Sequence, residues 1–263
     1  MADRWSSGAA YEGFVGRWSR PVARDFVRWV EVAPGSRWLD VGCGTGALTS
    51  AILAAAEPAA VVGVDPSASY VDHTRSVVTD PRAEFEVADA MALGRADGEF
   101  DAVVSGLVLN FVPDQAAALV EMQRVAKSGA TVAAYVWEYG RGMELMRYFW
   151  DAAVDHDPAA VAVEEGTRFP LCRPEPLTEL FTTAGLTDVA TEGIVVPTVF
   201  ADFDDFWRPF LGGQGSAASY AMSLTEDARA ELRELLRSRL PADGTGAIPL
   251  TARAWAVRGT VRR

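Results

Sequence analysis

Three carboxylates, Asp40, Asp65 and Asp89, each close a short apolar run, and the first is followed at once by Gly42, Gly44 and Gly46 in "LDVGCGTG". A glycine-rich turn between a strand and a helix lets the backbone approach a nucleotide and aims its N–H groups at it. The letters Gly42-x-Gly44-x-x-Ala47 also satisfy the loose dinucleotide fingerprint. Charge separates the candidate ligands. A pyrophosphate would meet Asp40 two residues before the first glycine, with no Lys or Arg in the loop to neutralise it. The arrangement suits a ligand with a cationic amine and no phosphate.

S-adenosylmethionine is such a ligand, with an ammonium, a sulfonium, a ribose and an adenine. Asp65 ends "VVGVD" nineteen residues beyond Gly46, where a carboxylate can accept from two ribose hydroxyls. Asp89, in "FEVADAMAL", can accept from the adenine amino group, while Ala90 and Met91 offer backbone and an apolar wall to the ring.

The elements that must position these groups follow from periodicity. Strands are expected at about 36–41, 60–65, 84–88, 100–105 and 130–137, with helices at about 22–32, 45–56, 67–78 and 114–127. Thr45, Ser67 and Pro113-Asp114 mark helix starts; Pro58, Pro81 and Gly129 mark stops. Beyond Trp137 come helices within 139–172 and at 175–184, a strand at 187–197, a helix at 225–240 and a last strand in "LTARAWAVRGTV". The expected fold is α/β: a Rossmann-like doubly wound sheet, mostly parallel with an antiparallel edge hairpin, plus helical lid insertions. Ligands bind such sheets beyond the carboxyl ends of the strands.

At these residues the chain resembles the class I S-adenosylmethionine-dependent methyltransferases, in particular the ubiquinone/menaquinone-type group acting on small molecules. "LDVGCGTG", "VVGVDPS", "VADAMAL" and "FDAVVSGLVLNFVPD" match that family's successive motifs in order and spacing over 35–137. The resemblance implies one methyltransferase domain over 1–263, with N-terminal lid helices at 1–33 and a donor-binding core at 34–138. Acceptor-side insertions would fill 139–174 and 201–249, and 175–200 with 250–263 would complete the sheet. It implies Asp40, Gly42 and Gly44 at the methionine end, Asp65 at the ribose, and Asp89 and Ala90 at the adenine. Segment 105–111 would pass under the methionine, bringing Leu107 and Phe111 near the donor. The neighbours Cys43, Pro66, Ser67, Met91 and Ser105 complete the expected cofactor-binding set. Tyr11 and Trp18, in "YEGFVGRWS", would cover the donor as a lid, and "GGQG" at 212–215 reads as a loop closing on substrate. Where many relatives carry a histidine after the fourth strand, this chain has "LNF". His156, between carboxylates in "VDHDP", is then the one candidate base; His73 reads as solvated surface.

Bulk properties set the remaining limits. A net charge of −12, with Lys127 as the only lysine, argues against a nucleic-acid partner. No run approaches the ~20 uncharged apolar residues of a membrane span, and the N-terminal segment does not read as a signal peptide. A cytoplasmic protein is expected. Cys43 and Cys172 form no disulfide or metal pattern. The expected function is in-line methyl transfer from S-adenosylmethionine to a small apolar or aromatic metabolite, leaving S-adenosylhomocysteine. Two alternatives stand beside it: a donor-binding protein that catalyses a non-methylating rearrangement or binds a partner, and an NAD-dependent oxidoreductase. Acceptor identity, the atom methylated and oligomeric state are left open.

Overall fold

A computed structural model describes residues 16–212 and 215–262. Its elements in chain order begin with helix α1 (Arg17–Val30), β1 (Arg37–Val41), α2 (Ala47–Ala55), β2 (Ala60–Asp65) and α3 (Ala68–Val77). They continue with β3 (Ala83–Val87), β4 (Phe100–Gly106), α4 (Gln115–Val125), β5 (Ala126–Trp137), α5 (Glu144–His156) and α6 (Glu165–Arg168). The remainder is α7 (Pro174–Thr183), β6 (Thr187–Phe200), α8 (Phe203–Trp207), α9 (Gly215–Ser223), α10 (Glu226–Arg239) and β7 (Ile248–Thr260). The seven strands lie in the order β3-β2-β1-β4-β5-β7-β6. Pairings β3·β2, β2·β1, β1·β4 and β4·β5 are all parallel. β7 runs against β5, since Glu138 N bonds to Arg253 O at one end and Gly129 N to Val261 O at the other.

The chain forms two compact units. One comprises 19–136, 173–194 and 255–262 and holds β1 to β4 whole. Its central strands are apolar on both faces because helices cover both: Trp38, Leu39, Val61, Val64, Val103 and Val104 are all fully buried. Burying each such side chain contributes about 1.5–3 kcal/mol. On one face Phe26 of α1 packs on Tyr135 of β5, ring centroids 4.6 Å apart.

The other unit comprises 16–18, 137–172 and the described residues of 195–254. Its core is a run of touching aromatic rings: Trp18 on Phe200 (5.0 Å), Phe200 on Phe206 (5.2 Å), Phe206 on Phe210 (5.6 Å) and Phe210 on Phe149 (4.3 Å). Trp150 and Tyr220 extend it. Within this unit Glu165 is buried, accepting from Trp150 Nε1 and, through Oε1, from the N–H groups of Ser216 (3.1 Å) and Ala217 (3.2 Å) at the start of α9.

Two boundaries depart from the sequence expectation. Gly46 (φ 85) occupies the N-cap of α2 and no side chain caps it, whereas Thr45 was expected to start the helix. β5 begins at Ala126, because α4 ends at Val125 and Gly129 does not stop a helix but sits within the strand. Opposite Phe100 and Ala102 stand Ala126 and Thr131, so the extra residues form a bulge that Gly129 (φ 79) accommodates. Ser67 and Asp114 cap α3 and α4 as expected. No helix among the described residues is long and apolar enough to cross a membrane.

Candidate functional site

The first unit brings the expected donor-side residues to the carboxyl ends of β1, β2 and β4. β1 delivers Asp40, which is wholly buried, with Thr49 Oγ1 donating to its Oδ2 at 2.7 Å. Its Oδ1 is buried and meets no donor. Burial lifts the Asp40 carboxyl from 3.8 to about 7; the Thr49 hydrogen bonds oppose this and the Asp65 charge adds to it.

β2 delivers Asp65, which ties the turn together. Its Oδ2 accepts from Gly44 N (3.1 Å) and its Oδ1 from Ser67 N (2.9 Å). Burial raises its carboxyl above the ordinary range, and those two N–H groups pull it back. Ser67 in turn accepts from Tyr70 N, and Pro66 is exposed.

The glycine loop is held from within. Gly42 N and Cys43 N both donate to Val64 O, at 2.7 and 2.9 Å, and Gly46 N to Cys43 O at 2.8 Å. With Gly44 N on Asp65, four N–H groups of this loop are already engaged. A pyrophosphate cradle needs them free. The cation-seeking carboxylates and the engaged N–H groups fit S-adenosylmethionine and do not fit a dinucleotide.

After β3, Asp89 is exposed and its Oδ1 accepts from Met91 N at 2.8 Å; Ala90 and Met91 are half-buried beside it. After β4, Leu107 has φ 63, a left-handed backbone that costs a non-glycine residue about 1–2 kcal/mol. Residues of this kind gather at functional sites. Val108 then packs onto the glycine loop, where a Cβ on Gly42 would stand 2.6 Å from its methyl carbons. Phe111, half-buried, ends a three-ten turn over Leu109–Phe111.

Four further expected residues have side chains with protein partners. Ser105 Oγ donates to Val41 O at 2.9 Å, tying β4 to β1. Cys43 packs with Val71 and Phe85, and burial pushes its thiol up, out of reach of ionisation. Trp18 lies in the second unit against Phe200, with the Arg17 guanidinium 4.5 Å over its ring. His156, also in that unit, ends α5 with Nδ1 3.8 Å from the Glu231 carboxylate of α10. Tyr11 lies outside the described residues, as do the two inner positions of the 212–215 loop.

Three residues were missed by the sequence reading. Thr49, which holds Asp40, lies in the first turn of α2 beyond Gly46. Tyr70 stands in the first turn of α3, its hydroxyl raised by burial and by the Asp65 charge. Since helical side chains lean toward the N-terminus, the Ser67 cap already directs Tyr70 toward Asp65. Asn110, the one polar residue in "GLVLNFV", is 6% exposed.

A family described as methyltransferase domain matches residues 39–134. The 2-methyl-6-phytyl-1,4-hydroquinone methyltransferase of Synechocystis is 31% identical over 212 residues, covering 74% of this chain and 65% of that one. The demethylmenaquinone methyltransferase of a Roseiflexus species is 34% identical over 165 residues, covering 58% of this chain and 68% of that one. The chain thus spans about two thirds of the length of these relatives. Among solved structures, a phosphoethanolamine N-methyltransferase of Haemonchus contortus shares the fold with a TM-score of 0.60 at 16% identity, covering 97% of this chain and 57% of that one. The chain belongs to the class I S-adenosylmethionine-dependent methyltransferases of the ubiquinone/menaquinone type.

Proposed function

We infer that the protein transfers a methyl group from S-adenosylmethionine to a small, apolar ring acceptor of the hydroquinone or quinone kind. The observation that carries the donor half is the pair of carboxylates at the glycine loop: Asp65 fastened to Gly44 N at 3.1 Å, and Asp40 buried with one oxygen lacking a donor. The names of the two sequence relatives, a hydroquinone methyltransferase and a menaquinone-precursor methyltransferase, support the acceptor half.

When bound, the donor supplies a methyl group activated by its sulfonium. Asp40 would hold the ammonium, and Asp65 would take the ribose hydroxyls on the lone pairs that Gly44 and Ser67 leave. Asp89, Ala90 and Met91 would border the adenine, and Leu107 and Phe111 would wall the methyl end. Holding the reacting groups in line can supply ~7–11 kcal/mol of the barrier. A protein base is required only where the acceptor still carries the proton to be lost.

Calorimetric titration with S-adenosylmethionine, S-adenosylhomocysteine and NAD, run in parallel on ligand-free protein, tests the donor. Micromolar binding of the first two and none of the third is expected; NAD binding, or no adenosyl binding, overturns this reading. Transfer of labelled methyl to a 1,4-hydroquinone with an isoprenoid tail then tests the acceptor class. Donor binding with no transfer to any ring would move the protein to a non-methylating role.

A further inference from the structure

We propose that Asn110 recognises the acceptor, its side-chain amide donating a hydrogen bond to an oxygen on the ring that is methylated. This rests on the methyltransferase reading above. Asn110 is 6% exposed, and its amide nitrogen is buried with no hydrogen-bond acceptor among the described residues. Its chain neighbours Leu109 and Val112 are buried apolar residues. Buried amides are normally satisfied, and one that meets no partner among the described residues points to a ligand oxygen.

The place in the fold selects which oxygen. Val108 seals against Gly42, and the left-handed Leu107 turns the chain away from the end of β4 before the three-ten turn begins. Asn110 therefore follows the residue that closes the glycine loop and lies outside the loop itself. The donor's ammonium is served by Asp40 and its ribose by Asp65; the acceptor ring has an oxygen to be met. An amide neither accepts nor releases a proton near neutral pH. The ring consequently reacts as the anion it has already become by losing its proton to solvent. Its electron pair bonds the methyl carbon while the carbon–sulfur pair goes to sulfur, and any ring hydrogen displaced at carbon leaves to water.

Asn110→Leu, which keeps shape and removes the polar atoms, is the decisive variant. Its melting temperature should equal or exceed that of the parent, because an unpaired buried group is gone. Affinity for S-adenosylmethionine should be unchanged. Binding of a 1,4-hydroquinone to the complex with S-adenosylhomocysteine, measured by calorimetry, should weaken at least tenfold. The Asn110→His variant should add a pH limb near 6–7 to kcat/KM, where the parent follows only the ionisation of the hydroquinone itself. Equal hydroquinone affinity in parent and Asn110→Leu, or no hydroquinone binding by the parent complex, overturns the proposal while leaving donor binding intact. Weaker donor binding in Asn110→Leu would reassign the amide to the donor's carboxylate and also overturns it. Failure of the parent to bind S-adenosylmethionine sinks the reading beneath it instead.

Discussion

Gly42 and Val108 meet across the carboxyl ends of β1 and β4 with no room for another carbon: a Cβ on Gly42 would stand 2.6 Å from both Val108 methyls. Gly42 also has φ 78, which a side chain would strain. Gly42→Ala should therefore push the Val108 turn outward and weaken S-adenosylmethionine binding at least tenfold. Adding Val108→Ala should recover part of that loss by relieving the clash and leave the backbone strain. Calorimetry on both variants checks this; full affinity in Gly42→Ala would show that the turn adapts freely.

Asp65 joins the two ends of the site, Gly44 N on one oxygen and Ser67 N on the other. Asp65→Ala should weaken donor binding at least tenfold with the far-ultraviolet spectrum preserved. Unchanged affinity in a folded variant would remove Asp65 from the ribose.

Asp40 makes stability and binding depend on pH in opposite senses. Its folded carboxyl, lifted by burial to about 7 from 3.8, favours folding fully while both states are protonated, below pH ~4. As pH rises to 7 and beyond, the unfolded chain ionises first and on the order of 4 kcal/mol is withdrawn. A bound ammonium favours the ionised form, so donor binding should strengthen from pH 6 to 8 and release a proton near pH 6.5. Titrations in two buffers of different ionisation enthalpy read that proton directly. Asp40→Asn should show neither the proton release nor this part of the melting-temperature slope.

The sequence carried the donor side further than any other part of the molecule. Asp40 and Asp65 are legible because each stands at the end of an apolar run that forms a buried parallel strand, and strand ends of that kind face the ligand crevice. Asp89 is legible from its place in the series, since the edge strand before it buries only Phe85 between Glu84 and Glu86. The bulge at Gly129 was not legible: a glycine after a helical pattern reads as a stop, and only pairing with β4 turns it into a strand interior. Asn110 was missed as a site residue because its role depends on burial, which one polar letter in an apolar run does not reveal. The Glu165 cap on α9 was missed for a related reason: it joins residues 51 and 52 positions apart, beyond any local period.

Leu107 holds a left-handed backbone while 9% exposed. Comparing Leu107→Gly with Leu107→Ala isolates the backbone cost, since both remove the side chain. The glycine variant should be more stable by about 1 kcal/mol, the reverse of their order in a helix. Urea unfolding of the pair decides it, and equal stabilities would mean that the turn relaxes once the leucine is gone.

Glu165 satisfies three donors, Trp150 Nε1 and the N–H groups of Ser216 and Ala217. Glu165→Ala should leave them unpaired and cost at least ~3 kcal/mol. Hydrogen exchange should quicken at the start of α9 more than in β1 to β4. Uniform acceleration over all of the elements would show that this carboxylate supports the whole chain and not its own unit.

The pairing of β1 with β4 rather than with β3 has a consequence for how the molecule comes into being. Asp40 pairs with Val104, and the cradle around Gly42 is closed only by Val108. A growing chain that has made its glycine loop, Asp65 and three strands still lacks the Val108 wall that closes on Gly42. That contact spans more than sixty residues, a separation that slows folding. Donor affinity is thus a late event in synthesis, and a fragment cut before β4 would carry most of the motifs yet bind poorly. A donor that binds only the finished fold stabilises it by mass action, so cellular donor concentration acts on how much finished protein persists.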